Sequence, residues 1–375
     1  MAGIYLHIPF CKRICHYCDF YKVGSLQLKE SFIEALLKEI VMRKDTLTAP
    51  VETIYLGGGT PSVLSKEELE RIFKVVKDNY NVLDDAEITV EVNPDDVSEK
   101  YYGDILKVGV NRLSIGVQSF NDTILKFLNR RHNAQVAYDS IEYAKIAGFK
   151  NISVDLIYGI PSQTVTDFVA DLSEVIRFRV PHLSAYHLGI EEGTYFGKLK
   201  SQNRFHEIDE GLSELFYDTL TDWADENFFD HYELSNFAFN ERFSKHNKNY
   251  WFHVPYLSFG PSAHSFINNI RYHNVSNLKQ YITCIEEGKE FTTVEQLTEV
   301  NRFNEFVMLR LRTMWGLDLN EVAMLFGAEY MAHLLTVYSK FEDSGYISVQ
   351  GDNLALTREG FFVSDYMFKE FFIHA

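Results

Sequence analysis

From the N-terminus to about residue 190, short β-rich runs alternate with helical stretches. This alternation restricts the fold more than any other feature, because repeated βα units bury both kinds of element around a parallel sheet. Strands are expected near Ile4–Ile8, Thr53–Leu56, Glu87–Val92, Leu113–Val117, Ile152–Ile157 and Leu183–Leu188. Helices are expected between them over Lys29–Arg43, Lys66–Asn79, Glu99–Val108, Ala134–Ala147 and Val165–Phe178. The pattern predicts an α/β fold, a partial (βα)6 barrel. A closed eightfold barrel takes about 250 residues, so six units leave an open side that something else must close. Strand-end loops carry the cysteines, Gly57 to Thr60, Glu91, Asn93, Gln118 and Asp155, all at the C-terminal edge where such barrels place their active sites.

Residues 200–290 are less regular, with an amphipathic helix near Ile208–Trp223 and then an aromatic, histidine-rich stretch ending at Ser265. From Glu295 onward, helices over Arg302–Thr313, Leu319–Phe326 and Met331–Asp343, a hairpin across Gln350–Asn353 and a final helix follow the order of a winged-helix domain. The expected division is a barrel over 1–235, a connecting segment over 236–294 and a mainly helical, winged-helix-like domain over 295–375. That last part has six Lys and Arg against twelve Asp and Glu, a net of −6, which opposes DNA reading and leaves a packing or lid role.

The whole chain carries a formal net charge of −17, so nucleic acid and anionic lipid are repelled. No apolar run approaches the ~20 residues needed to cross a bilayer. Met1 to Phe10 lacks the basic head and long apolar stretch of a signal peptide, so a cytoplasmic location is expected. Of the four cysteines, Cys11, Cys15 and Cys18 lie within eight residues, directly after the first strand, in a loop opened by Pro9. Such a cluster performs metal or redox work, whereas the distant Cys284 reads as an inert buried thiol. Three thiolates on one loop can hold three irons of a cubane and leave the fourth iron open to a ligand. A structural zinc loop, with four closed ligands or three plus water, is the alternative.

The spacing Cys-x3-Cys-x2-Cys, with Tyr17 just before the last cysteine, resembles the radical S-adenosylmethionine (SAM) superfamily. Over nearly its full length the chain is similar to the branch containing oxygen-independent coproporphyrinogen III dehydrogenases and the HemW heme chaperones. The likeness rests on Tyr5-Leu-His-Ile-Pro-Phe-Cys11, Gly57-Gly-Gly-Thr-Pro61, Glu91-Val-Asn-Pro94, Leu113-Ser-Ile-Gly-Val-Gln-Ser-Phe-Asn121, Asp155-Leu-Ile-Tyr-Gly-Ile-Pro161 and His246-Asn-Lys-Asn-Tyr-Trp251. The resemblance implies that Cys11, Cys15 and Cys18 hold a [4Fe-4S] cluster whose open iron is chelated by SAM. Gly57, Gly58 and Gly59 would then let the backbone approach the methionine end, although an ordinary strand-to-helix turn also uses glycine. Tyr17 would lie beside the adenine or merely shield the cluster, and Tyr5 would stand near the bound SAM. Glu91 would accept hydrogen bonds from the SAM ribose, or else form a salt bridge at the barrel mouth. Gln118, Arg130 and Asp155, with Gly59, Thr60 and Gly189, match positions that contact a second SAM in the dehydrogenase. For Arg130 and Asp155 an ion pair is the competing reading.

Two departures separate the chain from the dehydrogenase. Almost nothing precedes Tyr5, where the enzyme has a long covering segment, and Phe20 stands where the enzyme has a further cysteine. Both lean toward the heme chaperones. In the His246 to Trp251 segment, an imidazole beside an aromatic pair can ligate iron and pack on a porphyrin, with His231, His253 and His264 as competitors. The resemblance therefore implies a protein that keeps its cluster and SAM, binds heme at the open side between the main and C-terminal domains, and passes it to an acceptor protein. An electron donor such as flavodoxin or ferredoxin would suit the cluster. The other reading is a radical enzyme, in which cleaved SAM yields a 5′-deoxyadenosyl radical that abstracts hydrogen from a porphyrinogen propionate and leads to decarboxylation. A third is an interaction module whose cluster serves stability alone.

Overall fold

The computed structural model describes residues 1–374. Six parallel strands form its centre: β1 (Ala2–Ile8), β2 (Val51–Gly58), β3 (Val82–Val92), β4 (Arg112–Gln118), β5 (Asn151–Tyr158) and β6 (His182–His187), neighbours in sequence order. Between them run α1 (Lys29–Met42), α2 (Lys66–Asn79), α3 (Glu99–Lys107), α4 (Asp122–Phe127), α5 (Ala134–Ala147) and α6 (Val165–Arg177). Helix starts follow local chemistry, since reciprocal capping pairs, Ser65 with Glu68 and Thr164 with Asp167, open α2 and α6. Gly148, at φ 106°, ends α5 in the left-handed conformation.

The strand period of two sorts side chains into two layers. Ile4, Leu6, Ile54, Leu56, Val90, Ile115, Val154 and Leu156 are buried in the main apolar core with the helix faces. The alternate residues are polar or aromatic, and the register carries them across neighbouring strands: Tyr5 beside Tyr55 beside Thr89, Glu91 beside Ser114, and Gly116 beside Asp155 beside Ser184. The concave face of the sheet is thus prepared for chemistry while its helix-facing side supplies the stability.

Both edges of the parallel sheet are extended. Beyond β6 lie β8 (Asn236–Phe239) and β7 (Phe229–Glu233), both antiparallel. Beyond β1 lie β9 (Tyr256–Phe259), parallel to it, then β10 (His264–Ile267), β11 (Ile270–Asn274) and β12 (Thr292–Gln296), giving twelve strands in one sheet. Residues 236–294, read from sequence as a connecting segment, therefore supply β8 to β12. Their strands are short and half polar: β8 and β9 satisfy the edges of β6 and β1, and β10 to β12 continue the ladder from β9. The accompanying helices are α7 (Tyr195–Ser201), α8 (Glu210–Glu226), α9 (Lys245–Trp251) and α10 (Leu278–Glu287).

The C-terminal unit comprises α11 (Glu299–Leu311), β13 (Leu317–Asp318), α12 (Leu319–Phe326), α13 (Ala328–Phe341), β14 (Ile347–Gln350), β15 (Asn353–Leu356), α14 (Arg358–Phe362) and α15 (Ser364–Phe371). Its antiparallel sheet, in the order β13-β15-β14, and its own core around Phe303, Leu311, Leu334 and Phe371 make it winged-helix-like. It docks on β7 and α8 through Arg312 to Glu233 (3.2 Å), Arg358 to Asp222 (2.6 Å) and Phe361 edge-on to His231.

Candidate metal and cofactor centre

A cavity of about 510 Å³ opens at the C-terminal ends of the parallel strands. Cys11, Cys15 and Cys18 line it together with Tyr17, Gly58, Gly59, Thr60, Glu91, Gln118, Arg130, Asp155 and Gly189. The loop bearing the cysteines is closed at its base, where Val23 N–H donates to Pro9 O (2.7 Å) and Cys11 N–H to Val23 O (3.0 Å). Farther out, Asn129 Nδ2 donates to Ile14 O (2.8 Å) and His16 N–H to Leu128 O (3.2 Å), which clamps the loop against the end of α4.

The loop thiols sit in low-dielectric surroundings. Burial pushes the Cys11 thiol up to about 11, against the hydrogen bond that Thr60 Oγ1 donates to its Sγ (3.4 Å), and burial also raises Cys18. Arg130 Nη1 donates to Cys15 Sγ (3.3 Å). A metal would displace the thiol protons and supply the charge that Thr60 and Arg130 are set to meet. Among the described residues no three His, Cys, Asp or Glu side chains gather on one ion. Three thiolates on one loop suit a cubane, in which each takes a different iron and the fourth iron stays open to another ligand.

The glycines have a packing reason. Gly58 has φ 103°, and a Cβ there would lie 2.5 Å from the His7 ring. A Cβ on Gly59 would lie 2.8 Å from the carbonyl oxygens of Ile8 and Phe10. Only bare backbone lets β2 pass the end of β1 this closely, and the close passage is what brings Thr60 to Cys11. Glu91 receives the Tyr55 hydroxyl (2.8 Å), and burial pushes its carboxyl up to about 7. Gln118 sits at φ 70° beside a register shift in β4, an uncommon backbone for a side chain other than glycine that turns it into the cavity.

Arg130 and Asp155 form no ion pair. Ser114 Oγ lies within hydrogen-bonding distance of both Asp155 oxygens (3.0 and 3.1 Å). The half-buried Arg130 donates through Nη2 to Asn93 Oδ1 (2.6 Å) and Gly116 O (2.7 Å), and its buried Nε has no partner. An orphaned guanidinium N–H at this wall fits an added acceptor such as a carboxylate. Asn93 is the residue that sequence reasoning left without a role, since it holds Arg130 and also donates to Thr60 Oγ1 (3.2 Å). The Glu-Val-Asn-Pro run at the end of β3 was its only trace.

Tyr5 and His246 lie outside this cavity. Tyr5 lies beside the stacked pair of Tyr55 and His246 (5.1 Å), 6.1 and 6.3 Å from their rings, and it borders a neighbouring cleft. His246 corrects the expectation of a free heme ligand: it is 1% exposed, its Nδ1 is bonded to Thr53 Oγ1 (2.8 Å) and its Nε2 to the Tyr250 hydroxyl (2.9 Å). With burial holding its pKa down to about 3, it is a neutral joint between β2 and α9 with no lone pair to offer iron. His231 is half-buried, stacked on Phe237 at 4.2 Å, with its Nε2 bonded to Leu234 O (3.3 Å).

Comparison with known proteins places this geometry. Residues 5–175 match the radical SAM superfamily and residues 297–363 the HemN C-terminal domain. The solved coproporphyrinogen III oxidase of Escherichia coli superimposes with a TM-score of 0.87 at 23% identity, covering 100% of this chain and 90% of that one, a likeness of fold. The heme chaperone HemW of Lactococcus lactis is 32% identical over 98% of this chain and 97% of its own length. HemW of Bacillus subtilis is 32% identical over 99% of both chains. No helix is long and apolar enough to cross a membrane among the described residues. Identity at this level over almost the entire length of both partners means that the chain belongs to the HemW family of radical SAM proteins.

Proposed function

We propose that this chain is a heme chaperone that binds heme, a [4Fe-4S] cluster and SAM, and delivers heme to an acceptor protein. The observation that carries the reading is the end-to-end similarity to proteins named heme chaperone HemW, at 32% identity, against 23% for the dehydrogenase fold. Phe20 agrees with it, since an exposed phenyl ring (69%) stands on the cluster loop where the dehydrogenase has a cysteine. Cys11, Cys15 and Cys18 would hold the cluster, which supplies one-electron chemistry when bound. Thr60 and Arg130 would offset the thiolate charge, Tyr17 would cover the adenine, and Glu91 would accept from the ribose. A cytoplasmic setting keeps such thiols reduced, and a donor of the flavodoxin or ferredoxin kind would serve the cluster.

The test pairs heme titration, read by the Soret band, with anaerobic incubation of the reconstituted protein with coproporphyrinogen III, SAM and reductant. Saturable heme binding without decarboxylated product is expected. Decarboxylation without heme binding would replace this reading with the radical enzyme.

Glu91 gives the SAM site a pH signature. Its folded pKa of about 7 lies above the ordinary 4.5, so between those values the folded chain holds a proton that the unfolded chain releases, and apo stability falls as pH rises through that window. A ribose donor binds the carboxylate form, so SAM affinity is expected to increase as pH passes through 7 and to level off above it. Glu91→Gln should remove the pH dependence and weaken SAM about 10- to 100-fold, the worth of hydrogen bonds to a charged group. Isothermal titration at several pH values reads both effects.

A further inference from the structure

We propose that the cleft between the β10–β11 hairpin and α11 is the tetrapyrrole pocket, with His264 ligating the iron and Arg271 binding a propionate. The proposal rests on the heme-chaperone reading and gives it a place. The cleft has a volume of about 550 Å³, and Tyr256, His264, Phe266 and Arg271 face Glu305 and Met308 of α11 across it. The hairpin register pairs His264 with His273 and Phe266 with Arg271, so all four project from one side of the sheet. An aromatic wall, an imidazole and a guanidinium on one face are the chemistry that recognises a planar iron macrocycle carrying carboxylates.

His264 is exposed, and among the described residues neither of its ring nitrogens has a hydrogen bond, in contrast to His246. Its ring is held by stacking on His273 at 4.2 Å. Burial, followed by the neighbouring His273 and Arg271, lowers its pKa, so the imidazole is neutral and its lone pair is free at neutral pH. His253 lines the same cleft, stacked at 5.7 Å on Phe306, with a buried Nδ1 that has no partner. Arg271 is bonded to Glu305 across the cleft (2.6 Å), and a propionate would exchange for that carboxylate, charge for charge. Asp19 and Phe20, just past Cys18, border both this cleft and the cluster cavity, so a tetrapyrrole here would lie against the cluster loop.

The experiment is titration of the anaerobically reconstituted full chain with hemin, followed by absorbance and by circular dichroism as a check on folding. Wild type should show a saturable Soret band. His264→Ala should shift that band and lose saturation at hemin concentrations that fill the wild type, while the cluster absorbance stays. In His264→Gly, added imidazole should restore the band, and Arg271→Gln should weaken binding without moving it. If wild type binds hemin and His264→Ala binds it with unchanged spectrum and affinity, the pocket is elsewhere and the chaperone reading stands. A wild type with no Soret band overturns both.

Discussion

Cys15→Ala is expected to yield a folded, colourless protein, and Cys11→Ala and Cys18→Ala the same. Each thiolate binds its own iron, so losing one leaves a cubane held at two corners, and no other Cys, His, Asp or Glu joins these thiols on one ion among the described residues. The fold should persist, because the loop is tied by backbone bonds at Val23, Pro9 and Cys11 and by Asn129, none of which uses a thiol. Iron and sulfide analysis beside far-ultraviolet circular dichroism measures both halves of the prediction. Full iron content in any of the three variants would mean that the ligand set is wrong.

Arg130→Met should damage the site almost as severely while leaving the three thiols in place. The half-buried guanidinium satisfies Asn93 Oδ1 and Gly116 O and touches Cys15 Sγ. Removing it leaves two half-buried acceptors without their donor and takes a positive charge away from the thiolates. Lower thermal stability, low cluster occupancy and SAM affinity reduced about 10- to 100-fold are expected, the last from loss of a charge-assisted hydrogen bond. Arg130→Lys should recover only part of this, since one ammonium cannot reach all three partners with the fork's geometry. Thermal melts and SAM-dependent changes in the cluster spectrum provide the readout. SAM binding equal to wild type in Arg130→Met would remove Arg130 from the cofactor site.

Local chemistry made much of this legible. The six parallel strands were readable because each is an apolar run bounded by turn residues, and α2 and α6 because Ser65 with Glu68 and Thr164 with Asp167 declare their starts. The cysteine loop was readable because its three ligands are nearly adjacent in sequence. What stayed hidden is what depends on distant partners. The strands of 236–294 are four or five residues long and are defined by pairing with β1, with β6 and with one another, which no local periodicity reports. The residue type of His246 invited a ligand, but its two nitrogens are taken by Tyr250 and by Thr53, 193 positions away. The ion pair that competed with cofactor contact for Arg130 and Asp155 could be judged only once Ser114 and Asn93 were seen to partner them.

The account stands on a cluster that three thiolates hold by three corners, with the fourth iron left for SAM. Electron paramagnetic resonance of the reduced, anaerobically reconstituted protein, recorded with and without SAM, tests this most directly. A [4Fe-4S] signal whose shape changes when SAM is added is the predicted result. A signal that SAM leaves untouched, or a preparation containing stoichiometric zinc and no iron, would contradict it.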